Sequence, residues 1–277
     1  MPRGVLALIA LLCLSAGLAQ AQTEPAQPPA LAAACARPDL GPTTDASRWE
    51  VTFCNGDLVL HGWLYKPAGD GPFPTIFAMH GWGSNAMDLL GLAPFVADGR
   101  FLVICPQGSH EVEIGAVNGY GWYQMRPGSP PDEEKVGPAI EQLRMFLDEA
   151  CSRYPVDKRK VVALGFSQGG MMAYNLAMRW PEKFAALVGI GTAFPEYLVE
   201  LVSNREAIQQ LPTLVQHGRA DPMLEIARAR KSVETLRSLK VPVMFREYDG
   251  GHEVTADGVR DLSKFLLEKV AEPIIRV

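Results

Sequence analysis

The sequence has no surplus of basic charge: 26 Lys and Arg against 31 Asp and Glu leave a net charge of −5. A nucleic acid or an anionic membrane would find no electrostatic footprint to steer it. Its longest apolar run, Val5 to Leu14, falls short of the roughly 20 residues that a membrane span needs. There is no Walker A pattern and no G-x-G-x-x-G. Neither His110-Glu111 nor His252-Glu253 continues into the H-E-x-x-H of a zinc hydrolase. Charged residues make up only 21% and hydrophobic ones 48%, which excludes a disordered chain. What remains is a globular protein that works without an obvious phosphate, dinucleotide or zinc motif.

Two residue types are scarce enough to be followed one by one. The first is cysteine, with five: Cys13, Cys35, Cys54, Cys105 and Cys151. Residues 1–21 read as a signal peptide, with the lone charge of Arg3, the apolar run and a small-x-small site at Ala19-Gln20-Ala21. Cys13 follows Leu12 rather than a small residue, so a lipoprotein signal does not fit. An uncleaved anchor is the alternative. Cleavage would remove Arg3 and Cys13, take the net charge to −6 and export the protein to the periplasm or beyond, with no stable membrane anchor. Four cysteines in an oxidising compartment allow two disulfides. Proximity in the sequence favours Cys35–Cys54 and Cys105–Cys151, with buried free thiols as the alternative. Residues 22–48 open as a Pro/Ala/Gln linker, and one domain is expected over 49–277.

Within that domain, short apolar runs alternate with longer periodic ones. Trp49–Cys54 and Leu58–Tyr65, around Asn55-Gly56-Asp57, predict an antiparallel hairpin. Thr75–Met79, Phe101–Cys105, Val161–Gly165, Ala185–Ile190, Thr213–Gln216 and Val243–Tyr248 have the compact apolar character of buried parallel strands. Helices are expected near 86–98, 138–153, 168–180, 222–239 and 256–270. The last carries Val259, Leu262, Phe265, Leu266 and Val270 at helical spacing. The fold class is therefore α/β, a mainly parallel central sheet with helices on both faces. Residues 107–132 show no periodicity and read as a long loop, a kind of segment that commonly carries function.

Gly165-Phe166-Ser167-Gln168-Gly169 is a G-x-S-x-G turn directly after an apolar strand and directly before a helical run. That context marks Ser167 as a candidate nucleophile on a strained strand-to-helix elbow. A serine needs a base, usually an imidazole oriented by a carboxylate. Histidine is the second scarce residue: there are five, and on this architecture the chain order is Ser, acid, His. His61, His80 and His110 precede Ser167, and His217 precedes the acid loops except its own. His252, between the last strand and the last helix, is left as the base. Asp221, in the turn His217-Gly218-Arg219-Ala220-Asp221-Pro222, is the preferred acid, although Asp is also a common helix cap. Asp249 is its competitor. Two backbone N–H groups should bind the oxyanion. They are assigned to Gln168, next after the nucleophile, and to Trp82 in the His80-Gly81-Trp82-Gly83 loop. His80 is then structural. In the long loop, Tyr120, Trp122 and Tyr123 either wall a substrate pocket or pack the loop down, Trp122 and Tyr123 being the candidate pocket residues.

The segments HGWGSNAMDL (80–89), GWYQM (121–125), VVALGFSQGGMMAYNLA (161–177), HGRADP (217–222) and GGHEV (250–254) together resemble the α/β-hydrolase superfamily. Within it they resemble the bacterial phospholipase/carboxylesterase group. Gly191-Thr192 departs from the Ser-Gly common among relatives. The resemblance implies hydrolysis of small-molecule esters of short-to-medium acyl chains through a serine acyl-enzyme, with no metal or organic cofactor. A feruloyl or polyhydroxybutyrate esterase is the alternative within enzymes. A non-catalytic binding protein on the same fold is the alternative outside them.

Overall fold

The computed structural model describes residues 45–55, 58–114, 117–125, 131 and 133–272. The expected signal peptide, most of the linker, Cys13 and Cys35 lie outside the described residues. The two alternating runs at the start form an antiparallel pair, β1 (Ser47–Asn55) and β2 (Leu58–Lys66), in register from Ser47↔Lys66 to Asn55↔Leu58. Six further strands are β3 (Phe73–Met79), β4 (Leu102–Pro106), β7 (Val156–Phe166), β8 (Ala186–Ile190), β9 (Thr213–Gly218) and β10 (Val243–Tyr248). They join the first two in one eight-stranded sheet of order β1-β2-β4-β3-β7-β8-β9-β10. From β4 to β10 all neighbours are parallel, and β2 runs against both of its neighbours.

The central strands β3, β4, β7, β8 and β9 are covered on both faces, which is why they read as compact apolar runs. Alternation divides them between two cores. Leu102, Ile104, Val161 and Ala163 point into one, and Val103, Cys105, Val162 and Leu164 into the other. The first core is covered by α2 (Glu133–Arg153), α3 (Gln168–Arg179), the short α4 (Arg205–Ile208) and α5 (Ile226–Ser238). The second is covered by α1 (Ala86–Leu90) and α6 (Ala256–Leu266). In α6 the expected stripe is the buried one: Leu262, Phe265 and Leu266 are buried and Val259 packs beside them. Thr255 caps this helix, its Oγ1 accepting from the Gly258 N–H at 3.0 Å. Replacing such a cap by Ala typically costs about 1 kcal/mol.

Three expectations are corrected. The helix expected over 86–98 ends at Leu90. Gly91 and Pro94 follow, and Ala97 and Asp98 take positive φ angles of 48° and 56° that no α-helix continues through. Residues 107–132 are not all loop, because β5 (His110–Ile114) and β6 (Val117–Gly121) form a separate antiparallel pair. The third correction is Cys105–Cys151, since both are free thiols. Cys105 at the end of β4 points into the second core, whereas Cys151 on α2 packs against the first, on the opposite face of the sheet. Burial pushes both thiols up, Cys151 to about 11, with smaller opposing contributions from Lys158 and Lys183. Cys54 is disulfide-bonded; its expected partner, Cys35, is outside the described residues.

Candidate active site

The site gathers at the carboxyl ends of β3, β7, β8, β9 and β10, the edge where open parallel sheets bind ligands. At the end of β7 the chain turns so sharply that a Cβ on Gly165 would overlap the carbonyl of Gly169. A Cβ on Gly169 would overlap that of Met79 on β3. Only glycine fits either position. Between them Ser167 takes φ 54° and ψ −119°, a strained combination for a residue with a side chain. Its N–H is held by the carbonyl of Ile190 on β8 at 2.9 Å, so the elbow is fastened to the sheet.

The structure brings Ser167, His252 and Asp221 into one hydrogen-bonded chain. His252 Nε2 lies 2.9 Å from Ser167 Oγ, and His252 Nδ1 lies 2.7 Å from Asp221 Oδ2. The pattern puts the imidazole proton on Nδ1, facing the carboxylate, and leaves Nε2 to accept from the serine hydroxyl. Asp221 Oδ1 accepts from the N–H groups of Met223 and Leu224, both at 2.8 Å. Burial acts to raise its carboxyl. The hydrogen bond from His252, those from Leu224 and Met223, and the His252 charge outweigh that, holding it below the usual carboxylate range. Asp249, the competing acid, is turned to solvent and pairs with Arg219 at 2.6 Å.

The loops that carry Asp221 and His252 are laced together by main chain. Arg219 N–H donates to Tyr248 O at 2.8 Å, and Ala220 N–H to Gly250 O at 3.0 Å. A histidine set aside as a base by chain order lies beneath them. His217 donates through Nε2 to Leu224 O at 2.7 Å, with Asp221 Oδ2 3.4 Å from the same nitrogen. Its only sequence signal is its place four residues before Asp221.

Gln168 follows Ser167 directly, and Trp82 lies in the loop after β3. Among the described residues none accepts from the backbone N–H of either one. A Cβ on Gly81 would stand 3.4 Å from Ser167 Cβ, which places the Trp82 loop against Ser167. His80 secures the base of this loop. Its Nδ1 donates to Gly81 O at 2.8 Å, and its Nε2 accepts from the Gly108 N–H at 3.0 Å. Burial lowers its affinity for a second proton, partly opposed by the Gly81 hydrogen bond and by Asp88. Trp122 and Tyr123 are both buried. The Trp122 indole donates to His80 O at 2.9 Å, and the Tyr123 hydroxyl contacts Met171 Sδ at 3.7 Å. The large apolar side chains that reach solvent from these loops are Trp82, Met125 and Met223.

A family model described as Phospholipase/Carboxylesterase matches residues 67–270. The acyl-protein thioesterase 1 of Gibberella zeae is 26% identical over 228 residues, covering 75% of this chain and 95% of that protein. Among solved structures, esterase PE8 superposes with a TM-score of 0.63 at 22% identity, covering 73% of this chain and 94% of that one. The Bacillus cereus carboxylesterase gives 0.61 at 23% identity, covering 71% and 89%. Among the described residues no helix is long and apolar enough to cross a membrane.

Proposed function

Because the chain belongs to the phospholipase/carboxylesterase family, an esterase family of the α/β-hydrolase fold, we propose that it cleaves carboxylic esters through an acyl-enzyme on Ser167. The observation that carries this reading is the chain of two hydrogen bonds from Ser167 Oγ through His252 to Asp221. As Ser167 Oγ attacks the ester carbonyl, its proton passes to His252 Nε2. The imidazolium so formed is held by the Asp221 carboxylate. The carbonyl oxygen becomes an oxyanion facing the N–H groups of Trp82 and Gln168. Collapse of the tetrahedral adduct returns the proton to the leaving alcohol. A water then repeats the sequence on the acyl-enzyme and releases the carboxylic acid.

Short-to-medium acyl esters are the substrates proposed, and the likeness to an acyl-protein thioesterase adds acyl thioesters to those worth measuring. The protein is further proposed to be exported, with residues 1–21 removed and Cys35 paired to Cys54. Support comes from the pattern of those first residues and from the disulfide at Cys54. Purified protein is expected to hydrolyse p-nitrophenyl butyrate and to take up one fluorophosphonate label on Ser167. Turnover and labelling that persist in Ser167→Ala would overturn the assignment. Intact mass of protein recovered outside the cytoplasm tests the cleavage after Ala21.

A further inference from the structure

We propose that the β5–β6 hairpin and the side chain of Gln168 form one positioning device that fixes the spacing of the two oxyanion-binding amides. This rests on the reading of the Trp82 and Gln168 N–H groups given above. The short segment 119–123, which leads out of β6, bonds to both donor-bearing loops at once. Toward the Trp82 loop, Tyr120 O accepts from the Gly83 N–H at 2.8 Å, and Tyr120 N–H donates to Ser84 O at 2.7 Å. This isolated antiparallel bridge stitches the hairpin to the residues just after Trp82. On the other side of Trp82, the Trp122 indole N–H donates to His80 O at 2.9 Å. Trp82 is therefore bracketed by two anchors, both supplied by the same segment.

The same segment holds Gln168. Its carboxamide is buried at 1% exposure, with Oε1 accepting from Trp122 N–H and Nε2 donating to Tyr123 O, both at 2.9 Å. The two bonds fix which end is oxygen, because a flipped amide would set donor against donor and acceptor against acceptor. The residue that offers its backbone N–H to the oxyanion thus grips, with its side chain, the segment that grips the other donor. The glycines of β6 make this closeness feasible. A Cβ on Gly119 would overlap Gly83 O, and one on Gly121 would stand 2.8 Å from the Trp82 ring. An oxyanion site is effective only when its donors are already in place before charge develops. A connected set of hydrogen bonds through Gln168, 122–123, 120, 83–84 and 80 supplies that rigidity.

The test is Gln168→Met, which keeps the backbone N–H and the side-chain length but loses both carboxamide bonds. Trp122→Phe is made beside it; it keeps an aromatic ring and both bonds to Gln168 but loses the indole bond to His80 O. Three quantities are read on the full-length mature enzyme with p-nitrophenyl butyrate: kcat, KM, and the inhibition constant of an alkylboronic acid. The boronic acid forms a tetrahedral adduct on serine and places an oxygen between the two amides. Gln168→Met is expected to lower kcat by roughly 10- to 100-fold and weaken the boronic acid by a similar factor, with KM within about twofold. Trp122→Phe is expected to move the same two quantities by a smaller factor. A rise in KM alone would make the segment a pocket wall and overturn the proposal. A fall in kcat with unchanged boronic acid affinity would also overturn it. Should Gln168→Met not fold, Trp122→Phe decides by the same criteria. Should Ser167→Ala keep full turnover, the reading of the site fails, and it fails separately from this proposal.

Discussion

The ring of Phe166 lies against the imidazole of His252, with 4.8 Å between centroids and a tilt of 44°. The residue before the nucleophile is thus a wall for the base. Gly191, at φ +55°, sits where the two rings meet: a Cβ there would stand 3.1 Å from the Phe166 ring and 3.5 Å from the imidazole. Gly191→Ala is expected to meet both a backbone penalty of about 1–2 kcal/mol and this crowding. A lower melting temperature together with a fall in kcat checks it. Unchanged kinetics would show that the base does not depend on its neighbours.

Removing members of the hydrogen-bonded chain should have graded effects. Ser167→Ala is expected to leave no acyl-enzyme. Asp221→Asn keeps the shape but not the charge that orients the imidazole, and should lower kcat by roughly 10³-fold or more. Fluorophosphonate labelling should be absent in the first and slow in the second.

Asp221 also gives a pH dependence of stability. Its folded carboxyl lies below the unfolded value, which is about 3.9 for a free Asp. It therefore contributes stability that is fully present above that value and is lost as pH falls through the folded one. Denaturant titrations of wild type and Asp221→Asn should differ by about 1–3 kcal/mol near neutrality. The difference should narrow below about pH 4. A gap that is constant down to pH 2 would count against an ionised, hydrogen-bonded Asp221.

The thiols offer a chemical check. In native protein without residues 1–21, Cys105 should resist alkylation because it is fully buried, and the half-buried Cys151 should react slowly. After denaturation without reductant, two thiols should be counted. Four would refute the Cys35–Cys54 pairing, and none would refute the free state of Cys105 and Cys151.

The parts of the fold legible in the sequence are those whose cause is local. The elbow at 165–169 declares itself because two glycines, a strand and a helix are contiguous there. The central runs around it, β3, β4, β8 and β9, are apolar because both faces of the sheet are buried there. What was not legible depends on neighbours distant in sequence. Nothing local says that Cys105 and Cys151 face opposite ways across the sheet. The β5–β6 pair escapes notice because β6, Val-Asn-Gly-Tyr-Gly, has two glycines where strands usually have branched or aromatic residues. Those glycines are explained only by the Trp82 loop and Gln168, which come against them in space. The roles of Phe166 and His217 are hidden for the same reason.

The strand order carries one more consequence. From β7 onward each strand lies beside the one made just before it, and the series ends at β10, an open edge of the sheet. Ser167, Gly191 and Asp221 follow interior strands, whereas His252 follows the edge strand. Edges fray at lower free energy than interiors. Mild denaturant should therefore withdraw the base while the nucleophile and both oxyanion amides are still in place. Inactivation then precedes unfolding, and the last strand serves as the enzyme's own fuse.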